Sequence, residues 1–199
     1  MTDRRHALGG LAAGLAFALV RPARAGDLDD MLLRDPDTPV LGNPAGDVTV
    51  VEFFDYRCPY CRQSAQAVHD LIAGDAGVRV LMKEWPILGK KSVIAARGAL
   101  AAHRQGRYAD FHWSIMLGDG DTGRDRVVAL AGDLGLDLAA FEADMESEAV
   151  TAMLARNDRV ATGLGLTGTP GFVVGQRVVP GAVPLDTLRD FVAEARSAT

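Results

Sequence analysis

Apolar positions along the chain follow two periods, and their order predicts the layout. From Asp47 to Asp55, Val48, Val50, Val51, Phe53 and Phe54 form a near-continuous β-branched and aromatic run. That pattern belongs to a strand buried on both faces of a sheet. From Pro59 to Ile72 the residues Tyr60, Ser64, Ala67, Val68, Leu71 and Ile72 recur at helical spacing, and Gly74 and Gly77 terminate the run. Val78-Arg79-Val80-Leu81-Met82 is a second strand, ending at Lys83. Strand, helix, strand predicts a parallel crossover, and open α/β sheets place their chemistry at the carboxyl ends of such strands. Glu52 interrupts the first strand. A lone buried carboxylate is costly, so Lys83 is its expected partner, with an excursion of both side chains to solvent as the alternative.

The period then becomes purely helical. Ser92 to Gln105 is alanine-rich with an apolar stripe and Ser92 as its expected cap. Helices over Tyr108–Leu117, Arg124–Leu134, Leu138–Met145 and Ser147–Thr162 follow. Nothing in this span alternates like a strand, so residues 90–164 are expected to be a helical insertion. Gly171 to Gly181 reads as a β-hairpin turning at Gly175-Gln176, and Leu185, Leu188, Phe191 and Val192 stripe a closing helix. The expected fold class is α/β, β-α-β, helical insertion, β-β-α, over residues 47–199. Residues 26–46 carry Pro36, Pro39 and Pro44 and form an arm with one or two helical turns at Leu28–Leu33.

Residues 1–25 have a different composition: Arg4-Arg5, an uncharged run from Ala7 to Val20, then Ala23-Arg24-Ala25. This is the plan of a secretory signal peptide cleaved before Gly26, with export to the periplasm by the Sec or the twin-arginine route. The apolar run is short for a membrane span, which needs about 20 residues. Of 21 basic and 26 acidic residues, this segment holds four arginines and Asp3, so the mature chain has 17 against 25 and a net charge of −8. Such a balance argues against nucleic acid and anionic lipid as partners. The short arm argues for a monomer.

The chemistry-bearing residues sit where the first strand ends. Cys58-Pro59-Tyr60-Cys61 holds both cysteines of the chain. On a helix beginning at Pro59, this spacing puts both sulfurs on one face of the first turn. Pro59 suits that turn because its missing N–H would be unpaired there anyway. The helix's positive end favours a thiolate at Cys58, making it a nucleophile and a good leaving group. A bridge closing so small a loop constrains the unfolded chain little, so the pair reads as reactive and not as a staple. Other motifs fail on context. Gly163-Leu164-Gly165-Leu166-Thr167-Gly168 matches a dinucleotide-binding pattern, but a helix precedes it and a strand follows, the reverse of the required order. Asp119, Asp121 and Asp125 lie in a glycine-rich loop that lacks the bidentate acid of a calcium site. His69, His103 and His112 lack metal-ligand spacing. No cofactor is called for.

With these elements in place, the chain resembles the DsbA-like branch of the thioredoxin superfamily, and within it the ScsC-like periplasmic group. The stretches that carry the resemblance are Gly46 to Cys61, Lys83-Glu84-Trp85-Pro86-Ile87-Leu88-Gly89 and Gly168-Thr169-Pro170-Gly171. The resemblance implies a thioredoxin-like fold with an inserted helical subdomain and a protein disulfide oxidoreductase activity. It implies that Thr169-Pro170 is a cis-proline loop beside the sulfurs, so that the site comprises Cys58, Pro59, Tyr60, Cys61, Thr169 and Pro170. Trp85 and Thr169, with Ile87 nearby, are expected to line a shallow groove for unfolded polypeptide. Implied partners are cysteine-containing exported polypeptides and a membrane redox protein of the DsbB or DsbD type. The competing function is a periplasmic copper or zinc carrier that uses the same two thiolates.

Overall fold

The computed structural model of the protein describes residues 25–118 and 120–198. The predicted signal peptide therefore lies, but for Ala25, outside the described residues. The elements are α1 (Ala25–Leu33), β1 (Val40–Gly42), β2 (Val48–Phe54), α2 (Pro59–Gly74) and β3 (Val78–Glu84). The inserted helices follow: α3 (Lys90–Arg104), α4 (Tyr108–Met116), α5 (Arg124–Asp133), α6 (Leu138–Met145) and α7 (Glu148–Gly163). β4 (Gly171–Val174), β5 (Arg177–Pro180) and α8 (Leu185–Ser197) close the chain. Periodicity located all five inserted helices to within two residues at each end. The fold class is as expected, a thioredoxin-like β-α-β and β-β-α frame around a helical insertion.

One mixed sheet has the order β1-β3-β2-β4-β5, with β2 and β3 parallel and the other neighbours antiparallel. β1 went unread in the sequence, because three residues with only Leu41 buried carry no period. It is held by register: Val40 lies opposite Leu81, and Met82 donates to the Pro39 carbonyl at 2.9 Å.

The sheet separates two cores. Because side chains alternate along a strand, Val48, Val50, Glu52 and Phe54 share a face with Val78, Val80, Met82 and Glu84. That face packs under α2, α8 and the inserted helices α3, α4 and α5, in the larger core. Val51, Phe53, Leu81 and Val173 face the other way, beneath α1 and α7. Phe53 and Phe54 are both fully buried, one on each side. Each contributes on the order of 2–3 kcal/mol over leaving it exposed.

Caps follow the sequence in part. Asp137 accepts from the Ala140 amide at 3.0 Å and Ser147 from the Val150 amide at 3.3 Å, opening α6 and α7. Ser92 is no cap: α3 starts two residues earlier after Gly89, whose φ of +100° makes the turn, and Ser92 is buried inside the helix. Gly98 permits the close packing of the insertion, since a Cβ there would meet Val127 at 2.6 Å and Phe111 at 3.0 Å. The Gly163–Gly168 stretch ends α7: Gly165 has φ +76°, and Leu166 donates back to the Ala161 carbonyl at 3.0 Å.

Candidate active site

Cys58 is the N-cap of α2, with Pro59 in the first turn, so the helix begins where the spacing placed it. Asp55, fully buried at the end of β2, builds the loop that delivers it. Its carbonyl accepts from the Cys58 amide at 3.0 Å, and its carboxylate accepts from the Arg57 amide at 2.8 Å and the Leu88 amide at 2.9 Å. The 85–89 loop is thereby tied to the cysteine loop. Both cysteines are free thiols; Cys58 is 4% exposed and Cys61 is closed to solvent.

Thr169-Pro170 is cis, as the resemblance implied. The loop lies beside the cysteines because β4 starts immediately after it and pairs Gly171 with Phe53 on β2. Gly171 packs so tightly on Leu166 that a Cβ would come within 2.7 Å of it. Cys58 Sγ donates to the Thr169 carbonyl at 3.1 Å across 111 residues of sequence. Cys58, Pro59, Cys61, Thr169 and Pro170 are thus gathered at one point, and Tyr60, 64% exposed, stands at the surface beside them.

Glu52 lies beneath this turn. Burial pushes the Cys61 thiol strongly up, and the Glu52 charge pushes it further; the Asp55 backbone and Thr169 oppose them. Burial alone raises the Glu52 carboxyl to about 8. Its Oε1 has no hydrogen-bond partner. The expected ion pair between Glu52 and Lys83 does not form, nor does either side chain reach solvent. Parallel register sets Glu52 opposite Met82 and Lys83 opposite Phe53, so acid and base point to opposite faces. Lys83 Nζ donates instead to the Met31 carbonyl and the Thr38 hydroxyl, each at 2.7 Å.

Trp85 does not line a groove. It is 4% exposed, packs edge-on against Phe53 in the smaller core, and donates through Nε1 to Asp158 at 2.9 Å. Ile87 and Leu88, 41% and 43% exposed on the loop tied to Asp55, are the apolar surface there. Among the described residues no group of three or more His, Cys, Asp or Glu is arranged to hold a metal ion.

One cluster escaped the sequence reading. Glu84, at the end of β3, accepts at Oε1 from Tyr108 at 2.8 Å and from Tyr56 at 3.3 Å. The Tyr56 hydroxyl also meets His112 Nδ1 at 3.1 Å. All four side chains are buried. The polar residue closing a buried strand was a signal, but its partners lie 28 and 24 residues away, and His112 lies 56 residues from Tyr56.

A parallel β-α-β unit with a two-cysteine turn opening its helix, and a cis-proline loop from the following hairpin beside it, defines the class of thioredoxin-fold dithiol proteins. Within that class the chain belongs to the family described as the DSBA-like thioredoxin domain, which matches residues 49–193. A solved thioredoxin-like oxidoreductase from Silicibacter pomeroyi is 49% identical, with a TM-score of 0.82 over 85% of this chain and 98% of that one. A periplasmic thioredoxin-like protein from Salmonella enterica is 28% identical, with a TM-score of 0.78 over 89% and 99%. A Bordetella parapertussis protein named thiol:disulfide interchange protein DsbA is 29% identical over 73% of this chain and 71% of its own length. Relatives from Salinispora arenicola and Salinispora tropica, named Na(+)/H(+) antiporters, are 29% and 31% identical over 87% and 93% of this chain. The chain spans only 27% and 29% of their length.

Proposed function

We propose that this chain is an exported thiol:disulfide oxidoreductase that exchanges disulfides with cysteines of exported polypeptides through Cys58 and Cys61. The observation that carries the reading is the Cys58 sulfur at the N-cap of α2, 3.1 Å from the Thr169 carbonyl, with Cys61 one turn behind it. The outer sulfur stands at the helix N-terminus, while burial favours the protonated form of the inner one. The two thiols are therefore unequal, as a two-step exchange requires.

In the oxidising direction a substrate thiolate attacks Cys58 Sγ of the Cys58–Cys61 disulfide. The bond between the two cysteines breaks, and Cys61 leaves with the electron pair and takes up a proton. A second substrate thiol, losing its proton, attacks the mixed disulfide and releases Cys58. Two electrons have passed from substrate to protein. In the reducing or isomerising direction Cys58 thiolate attacks a substrate disulfide and Cys61 resolves it. Glu52, raised to about 8 and bearing on Cys61, holds or accepts the proton that Cys61 exchanges. Ile87, Leu88 and Tyr60 supply the apolar surface on which an unfolded chain lies.

Periplasmic export is supported by the signal-like N-terminus and by the solved relative described as periplasmic. No helix among the described residues is long and apolar enough to cross a membrane. The protein acts as a monomer and passes electrons to or from a membrane redox protein of the DsbB or DsbD type. Cys58→Ser is expected to reduce disulfide exchange to the uncatalysed background while the fold persists, as read by circular dichroism. Full activity in that variant overturns the proposal. Equilibration with glutathione sets the direction: a potential near about −120 mV marks an oxidant and one near about −270 mV a reductant.

A further inference from the structure

Polar links tie the inserted helices to the rest of the fold. Arg62, next to Cys61, donates to the Ile115 and Gly118 carbonyls at the end of α4, each at 2.6 Å. Asn157 on α7 donates to the Glu84 carbonyl at 3.0 Å. The most buried link is the Glu84 cluster, which joins the end of β3, the loop ahead of Cys58 and α4.

Proton counting fixes its direction. Burial holds His112 down to about 3, so the ring is neutral and carries one N–H. Each tyrosine hydroxyl has one proton to donate. With Tyr56 and Tyr108 both donating to Glu84 Oε1, the neutral His112 has an N–H that can complete the chain at the Tyr56 oxygen. The order is His112 to Tyr56 to Glu84, with Tyr108 arriving from the other side. The groups facing Glu84 are Tyr56 and Asp55 from the loop, Glu52 from β2, and Tyr108 and His112 from α4; Asn157 of α7 binds its backbone. Among the described residues no lysine or arginine pairs with it. Burial pushes its carboxyl well above the carboxylate range, against the pull of the two tyrosines. Its Oε2 is buried and without a hydrogen-bond partner.

We propose that Glu84 is a positioning residue of the redox site: a hydrogen-bond hub that fixes Tyr56, and through it the loop delivering Cys58, against helix α4. Tyr56 stands two residues before Cys58, and its ring is wedged between Phe54 and His112, with centroids 5.1 and 5.5 Å away. Loss of the hub frees the hydroxyl that stops this ring from shifting, and with it the turn that sets Cys58 against Thr169. The proposal rests on the reading of Cys58 as the reactive sulfur.

Its test measures that sulfur directly. In full-length proteins that all carry Cys61→Ser, Cys58 is the sole thiol, and its alkylation by iodoacetamide is followed from pH 5 to 9. Glu84→Gln, which keeps the acceptor and the neutral state, is expected to overlay the parent profile. Glu84→Leu is expected to change the rate at pH 7 by about tenfold, as ångström-scale displacements of a reacting group do, and to displace the profile. Tyr56→Phe, which removes one oxygen, changes it in the same direction by about threefold. If Glu84→Leu fails to fold, Tyr56→Phe decides alone. Parent-like profiles in the folded Glu84→Leu and Tyr56→Phe proteins overturn the proposal, as does Glu84→Gln behaving like Glu84→Leu. Failure of the oxidoreductase reading appears elsewhere, as activity retained in Cys58→Ser, and leaves this measurement intact.

Discussion

Lys83 and Glu84 are consecutive on β3, both buried, and face opposite cores. On the smaller-core side a single base, Lys83, is satisfied by the N-terminal arm: its ammonium caps the end of α1 at the Met31 carbonyl and holds Thr38. On the larger-core side, among the described residues, no cation pairs with the two acids Glu52 and Glu84, and each keeps one oxygen unpartnered. The base is matched and serves architecture. The acids are unmatched, and they sit where the sulfurs need proton exchange and placement. An acid and a base one residue apart thus never meet, because the pleat of a single strand separates them.

The sharpest way to break this contrast is to substitute one group on each face. Lys83→Ala removes a buried side chain and unpairs the Met31 carbonyl and Thr38, at an expected cost of about 3 kcal/mol in denaturant unfolding. The folded fraction should exchange disulfides at the normal rate. Glu52→Gln should do the reverse. Losing a buried ionisable acid leaves stability at pH 8 equal or higher, while release through Cys61 slows by at least about tenfold without its proton acceptor. A Lys83→Ala protein that is fully stable but defective in exchange would dissolve the division of labour.

A second test, without mutation, comes from pH. The folded Glu52 carboxyl titrates at about 8, above its ordinary 4.5, so between those values the folded state keeps a proton that the unfolded chain has lost. Its contribution to stability is complete below pH 4.5 and is lost as pH rises to 8. Lys83 titrates at about 8 when folded, below its ordinary 10.5, so from pH 8 to 10.5 the unfolded chain holds the extra proton and stability returns. Each group alone gives a slope of up to about 1.4 kcal/mol per pH unit. The Glu52 part of the unfolding free energy therefore falls up to pH 8 and the Lys83 part rises above it, while Glu84, whose carboxyl is also raised, adds a fall of its own. Glu52→Gln should make the fall below pH 8 shallower and Lys83→Met should lower the slope above it, each read from denaturant midpoints across pH.

Which parts of this were legible follows from range. Local signals placed the helices, the two-cysteine turn and the hairpin, because period, Pro59 and Gly175 act within a few residues. The partnership of Glu52 with Lys83 failed because it needed register: a shift of one residue reverses the face, and no residue in either strand announces which pairing holds. Lys83's true partners lie in the arm, 45 and 52 residues upstream. The Glu84 cluster likewise draws on separated elements, each with an unremarkable tyrosine or histidine. The cis-proline loop became readable only through resemblance, since its 111-residue reach to Cys58 leaves no mark on local spacing.

The smallest expected effect decides which residues of the Lys83-Glu84-Trp85-Pro86-Ile87-Leu88 stretch meet a substrate. Trp85 belongs with Lys83 to the architectural side: it packs edge-on against Phe53, and its indole N–H donates to Asp158 on α7. Trp85→Phe keeps an aromatic ring and gives up that bond; since Asp158 is exposed, its carboxylate regains water. The cost should be about 1–2 kcal/mol from the lost bond and the smaller ring, with polypeptide exchange unchanged. Ile87→Ser should have the opposite signature, because an exposed side chain changes stability by less than about 0.5 kcal/mol. Its loss removes apolar surface on the loop tied to Asp55, so exchange with an unfolded protein substrate should fall by about threefold, for a side chain only partly covered by the chain it contacts. Exchange with glutathione, which is too small to lie across that surface, should not change. If Trp85→Phe weakens exchange with the protein substrate and spares glutathione, the ring opens toward the substrate during turnover, and the boundary between the two sides runs through Trp85.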